Sequence, residues 1–332
     1  MLTSLSRLAE IDISYKSILR VIGVLIAIWL LYQILDILAI VFLAIILSAA
    51  ITPEVDKLEK EGMPRILATL VIYILIILLF GLLGYIILPP TVSEIARLSH
   101  ALPQLLNQYM TTLSLPQSFF DQVSQNLANS STNVFAWVIG LLGGVGTILF
   151  VIIISFYLTA EENGIKGFVE RLLPDGHYPY ILDLVVRSQT VLAHWLKAQL
   201  LLMLIIAVMV FIAFIALGLP NALALAAIAG ILEIVPVVGP VLAAIPATIF
   251  ALNASLFTAL LTIIVFTVLQ QIESQILTPQ IMKRTFEINP ILVLLSLVIG
   301  AKLGGITGAL ISVPLLALAL EFSKDYYQGR KS

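Results

Sequence analysis

Between Lys197 and Glu273 the sequence carries one charged side chain, Glu233, three residues ahead of the run Pro236-Val237-Val238-Gly239-Pro240. A carboxylate set in so apolar a stretch costs about 2.5 to 3.5 kcal/mol in hydrocarbon unless it is neutralised, paired or wetted. Glu233 therefore either binds a proton or cation, or holds its surroundings together as a cap or ion-pair partner. Lys302 is likewise the one charge between Asn289 and Leu320. Its options are to pair with Glu233 or Glu273, to hold an anionic group, or to snorkel to a surface. Gln270, Gln271, Glu273 and Gln275 make a polar patch at the end of an apolar run. Gln270 and Glu273 stand three apart, share a helix face and suit the lining of a pathway, whereas Gln275 suits an interface.

Other chemistries find no footing. The chain has no cysteine, which excludes disulfides, thiolate metal sites and cysteine nucleophiles. His100, His177 and His194 lie in polar segments without metal-ligand spacing, and there is no GxxxxGK[ST], HExxH or GxSxG. The sequence thus predicts no enzyme, no catalytic or metal-ligating residue and no cofactor. A net charge of −2 and a pI near 5.9 leave no basic face for nucleic acid.

The elements that must position these residues are membrane helices. Of 332 residues, 61% are hydrophobic and 11% charged, with mean hydropathy +1.12; a soluble chain carries about 25% charged residues. The useful unit is then an apolar run of about 20 residues, which crosses a bilayer as a helix. Arg7, Lys16 and Arg20 precede a first apolar stretch with no small-residue cleavage site, which reads as an uncleaved span. From Val21 to Pro53 that stretch would run about 50 Å as one helix, against a hydrocarbon core of roughly 30 Å, so a hairpin turning near Gln33 to Asp36 is expected. Ile66 to Leu88 is a span closed by Pro89-Pro90. Residues 91–133 are polar and predict a soluble insertion; 134–160 form a span, 161–197 amphipathic helices around a Pro174-Asp175-Gly176 turn, and Ala198 to Gly218 another span.

Asn221 to Leu252 is apolar but cut by Pro236 and Pro240, and predicts a re-entrant hairpin with Pro236, Gly239 and Pro240 at its tip. Irregular backbone at that depth survives only when buried in protein or lining a wet cavity. After a span from Phe257 to Leu277, Asn289 to Leu320 repeats the broken pattern around Lys302, Gly304, Gly305 and Gly308. The two broken segments superpose without gaps at an offset of 68, matching Asn221 with Asn289, Ile231 with Ile299, Leu242 with Leu310, Pro246 with Pro314 and Leu252 with Leu320. Paired discontinuous segments point to the binding site of a repeat-built transporter. The fold class is accordingly all-α and polytopic, with about six full transmembrane helices plus two re-entrant broken hairpins, about eight hydrophobic segments in all.

Lysine and arginine favour cytoplasmic loops. Arg7, Lys16, Arg20, Lys57, Lys60, Arg65, Lys166, Arg171, Arg187, Lys197, Lys283, Arg284, Lys324, Arg330 and Lys331 fall inside when both broken segments return to the side they entered from, leaving Arg97 outside. Both termini are then cytoplasmic and the hairpins enter from opposite sides. The chain divides into an N-terminal scaffold (1–90), an extracytoplasmic insertion (91–133), a span (134–160), cytoplasmic helices (161–197), a transport unit with both hairpins (198–320) and a cytoplasmic tail (321–332).

Several segments carry a resemblance: AIILSAAITP over Ala44 to Pro53, Phe156-Tyr157-Leu158 leading to Leu172-Leu173-Pro174, and Lys197-Ala198-Gln199 opening a span. More specific are GLPNALALAAIAGILEIVPVVGPVLAAIP over Gly218 to Pro246, IESQILTP over Ile272 to Pro279, and GAKLGGITGALISVP ending at Pro314. In their order and spacing these resemble the autoinducer-2 exporter family, also described as PerM-like permeases. The resemblance implies a bacterial plasma-membrane permease that exports a small polar solute, such as an autoinducer-2-like signal, coupled to protons or sodium, and that assembles as a homo-oligomer in the lipid bilayer. Some members look like sodium/proton antiporters; a passive channel or membrane scaffold is the reading from another class. Carried over, the motifs fall on Pro236, Gly239, Pro240, Glu273, Gly304, Gly305 and Pro314, while a coupling role for Glu233 rests on this sequence alone.

Overall fold

The computed structural model describes residues 15–85, 145–161, 178–282 and 289–329, with the isolated positions 89, 164 and 167. The expected insertion at 91–133 lies outside these residues, as do the turn at Pro174, His100 and His177, and the basic pair Lys283 and Arg284. Among the described residues every regular element is helical. Helix α1 (Tyr15–Gln33) leads into α2 (Leu35–Lys60), followed by α3 (Arg65–Tyr85), α4 (Val145–Ala160) and the long α5 (Tyr178–Ala216). Then come α6 (Ala222–Leu232), α7 (Val238–Ala254), α8 (Leu256–Ile272), a π-helical segment (Glu273–Leu277), α9 (Thr278–Met282) and α10 (Pro290–Gly329). Five stretches are long and apolar enough to cross a membrane: α2, α3, most of α5, α8 continued through α9, and most of α10. The chain is an all-α polytopic membrane protein.

The reversal expected near Gln33 to Asp36 is replaced by a bend. Only Ile34 leaves helical geometry, at φ −98° and ψ 3°, and helical hydrogen bonds run up to it and away from it, from Ile34 N to the Leu30 carbonyl and from Leu38 N to the Ile34 carbonyl. One residue in the bridge region tilts a helix but cannot turn the chain back. The cytoplasmic placement expected for the N-terminus rested on that reversal and loses its support.

Helices α2, α3 and α4 pack through Ile51, Val55, Ala68 and Tyr73 and through a buried chain of hydroxyls. Tyr73 hydrogen-bonds Ser155 and, at 3.2 Å, Thr159, whose Oγ1 lies 2.9 Å from Ser48 Oγ. Arg65, only 14% exposed, donates to Asp56 and Glu59 at 2.8 Å and to the Thr159 carbonyl at 3.0 Å. Glu54 accepts from Lys57 at 2.7 Å and Lys197 at 3.1 Å. The end of α2, the start of α3, the end of α4 and the Lys197 level of α5 thus share one polar layer.

Two chain reversals complete the fold. Helices α6 and α7 rise about 16 Å and 25 Å, each short of the hydrocarbon core of roughly 30 Å, and form a hairpin packed with α5 and α8 around Phe214, Leu225, Ala229, Ala247, Phe250 and Phe266. Helix α10 is broken at Gly304 (φ −136°, ψ 24°) and Gly305 (φ 58°, ψ −137°). Beyond this break the chain folds back, since the Gly300 and Gly308 backbones touch, with the Cβ position of Gly300 2.7 Å from Ser312 Cβ. Eight residues along a straight helix would separate those backbones by about 12 Å. A central cluster joins both hairpins to α2 and α5, with Ile46, Ala50, Trp195, Val235, Leu297, Ala309 and Val313 among its members.

Candidate functional site

The tip of the first hairpin is built by its prolines. Helix α6 ends at Glu233, which keeps helical geometry and a bond from its N–H to the Ala229 carbonyl. The Glu233 carbonyl gets no N–H three residues on, because that residue is Pro236. Instead Gln199 on α5 donates from Nε2 to the Glu233 carbonyl at 2.6 Å. The chain then makes a γ-turn, in which Val238 N donates to the Pro236 carbonyl at 2.8 Å around Val237 at φ 68° and ψ −48°. This is a rare and strained turn for a β-branched residue. Gly239 closes it by packing on the Leu232 carbonyl, where a Cβ would also lie 3.0 Å from Glu233 N.

The second half of the site comes from the junction of α8 with the π segment. Glu273 opens that segment, and its carbonyl accepts from Thr278 N, five residues on. Short π turns inside α-helices gather at functional sites. Here the turn aims Glu273 inward between exposed Ser274 and exposed Gln271. Gln270 Nε2 donates to Glu273 Oε2 at 3.1 Å.

Glu233 and Glu273 are 1% and 6% exposed, and their carboxyl groups lie within hydrogen-bonding reach of each other. Both line a cavity of about 10 Å³ with Gln270, Pro240, Phe266 and Val210, the room of about one water molecule. Glu233 Oε2 has no hydrogen-bond partner among the described residues. Two carboxyl groups in contact offer four acceptors and no donor, so one proton or one cation between them is what completes the arrangement.

The other charged candidate stands apart. Lys302 is exposed beside the second tip, and among the described residues it forms no ion pair with either carboxyl group. Gln275 is exposed and donates to Gln271 at 2.6 Å. His194 is exposed on α5, and among the described residues no group of three or more His, Asp or Glu side chains is placed to hold a metal. Sequence reasoning missed the role of Gln199, which stood out only as the opening of a span. A glutamine in apolar sequence is a signal, but its partner is a backbone carbonyl 34 residues away, and nothing in a sequence marks that.

Two helical hairpins within a bundle of apolar helices, with paired acids buried beside one tip, fit a broken-helix membrane transport protein. A family model described as AI-2E family transporter matches residues 18–328, and the chain belongs to this family of transporters. It is 27% identical over 294 residues to YrrI of Bacillus subtilis, named as a candidate transport protein, covering 83% of this chain and 82% of the relative. YueF of the same organism, named likewise, is 28% identical over 301 residues, covering 83% and 80%. A protein of Halobacillus andaensis named as a sodium-lithium/proton antiporter is 22% identical over 325 residues, covering 89% and 91%.

Proposed function

We propose that this transporter is a secondary carrier of the bacterial plasma membrane. It moves a small polar solute outward by alternating access, and a proton or sodium ion bound between Glu233 and Glu273 drives the cycle. The observation that carries this reading is a pair of buried acids in contact, with no basic side chain between them among the described residues. Leaving both ionised in a nearly dry site is prohibitive, so the pair exchanges protons or cations with whichever side it faces. Gln270 orients Glu273, and the hairpin tips supply free helix-end groups to the solute. Lys302 stays outside the ion step. By the positive-inside rule the layer of Lys57, Arg65 and Lys197 faces the cytoplasm, so the first hairpin descends from outside. The family resemblance adds the autoinducer-2-like class of solute and a homo-oligomer.

A second reading, sodium/proton antiport without an organic solute, is favoured by the name of the Halobacillus relative and by an acid pair that suits either ion. Flux in proteoliposomes separates the readings, under imposed proton or sodium gradients with a furanone signal or alkali cations as cargo. Gradient-driven flux in the wild type, lost in Glu233→Gln, is the expected result, and the cargo that moves chooses between exporter and antiporter. Gradient-independent flux equal in both proteins would make the chain a passive channel and return Glu233 to a structural role.

A further inference from the structure

We infer that Gln199 is a positioning residue for the acid pair, tying the place of the first hairpin tip to what the two carboxyl groups hold; this rests on the ion-binding reading above. Gln199 is 1% exposed, and its Nε2 supplies the donor that Pro236 withholds from the Glu233 carbonyl. Glu233 is thereby held from two sides, its backbone by α5 and its carboxyl group at Glu273 on the π segment. Only the glutamate side chain separates the two grips. The turn beyond it has little slack, because Val237 is strained and Gly239 already rests on the Leu232 carbonyl. A shift of the carboxyl group on gaining or losing its ion is therefore passed to the Gln199 bond.

The same contact is built to part. Gln199 Oε1 and, one turn earlier on α5, Trp195 Nε1 are buried without hydrogen-bond partners among the described residues, and Trp195 packs in one cluster with Val235 of the tip. An acceptor and a donor orphaned on the α5 face of the tip both gain partners when water enters as the tip withdraws. Backbone strain of the kind seen at Val237 gathers at switching segments. Among the described residues few other titratable groups bear on this contact. Glu273 faces Glu233 from the π segment; on α5 Lys197 is bonded to Glu54 of α2 and His194 is exposed; on α10 Lys302 is exposed; α6 and α7 carry none.

Because the chain has no cysteine, a single Val235→Cys change makes the tip readable by maleimide labelling in proteoliposomes, with sodium present or absent and across pH. The labelling rate is expected to depend on the ion. Gln199→Met keeps the side-chain length but removes the donor; it should raise the rate about tenfold, the population shift from losing one buried hydrogen bond, and abolish the ion dependence. Gln199→Glu has a donor only when protonated, so in one sample it should behave like the parent at acid pH and like Gln199→Met at alkaline pH, which separates positioning from misfolding. An unchanged ion response in Gln199→Met, or a Gln199→Glu protein indifferent to pH, overturns the inference. If Glu233→Gln abolishes coupling while Gln199→Met changes nothing, this inference fails alone; if Glu233→Gln has no effect on flux, the reading beneath it fails.

Discussion

The two hairpins are one backbone design executed in different chemistry. At the 68-residue offset Pro236 corresponds to Gly304 and Val237 to Gly305, and the corresponding pair Val237 and Gly305 both take positive φ, 68° and 58°. In the second hairpin glycine occupies that position without strain, and the arms close by direct contact of Gly300 with Gly308. In the first, a valine is forced to positive φ, proline deprives the Glu233 carbonyl of its donor, and the Gln199 side chain from α5 makes good the loss. The charges divide the same way, with Glu233 buried against Glu273 and Lys302 exposed. One hairpin is locked by shape, and the other is held by polar bonds.

The largest way to break this comparison is at the shape-locked hairpin. Gly308→Val puts side-chain atoms into the Gly300 backbone and should cost about 3 kcal/mol, read as a fall in thermal midpoint in detergent; a neutral result would mean the arms are not closed by backbone contact. Next comes an exchange of strain. Gly305→Val should destabilise by about 1 to 3 kcal/mol, the cost of putting a side chain on positive-φ backbone that glycine alone adopts freely, whereas Val237→Gly, at a half-exposed position, should be neutral or gain up to about 1 kcal/mol. Equal losses at both sites would erase the asymmetry. The smallest effect belongs to Lys302→Gln, which should change stability by no more than about 0.5 kcal/mol and leave gradient-driven flux intact; a loss comparable to that of Glu233→Gln would put Lys302 back among the ion-binding groups.

How much of this was legible follows from what a sequence can mark. Proline and glycine announce broken backbone, so both breaks could be placed at Pro236 and Gly304, and a lone glutamate in apolar sequence marks itself. The stretch around Ile34 misled because Gln33 and Asp36 look like a turn in a run too long for one span, while nothing nearby forces positive φ or removes an N–H, so the helix merely bends. The hydroxyl chain of Ser48, Tyr73, Ser155 and Thr159 was silent for another reason. Serine and threonine in a helix satisfy themselves on the carbonyl four residues back, as Thr159 does on Ser155 at 2.9 Å, and so give no sign of partners on other helices.

The π segment also settles a question of phase. At about 100° per residue, an unbroken α-helix would point Met282 about 160° away from Phe266. One residue absorbed in the wider turn reduces that to about 60°. Phe266 can then sit in the core formed with the first hairpin while Met282 packs on the central cluster that includes α2 and α10, so a single rod serves two neighbours on nearly the same side. Deleting one residue between Ser274 and Leu277 would let the segment close as a regular α-helix of about 15 steps, again about 60°, so α9 would keep its neighbours without the wide turn.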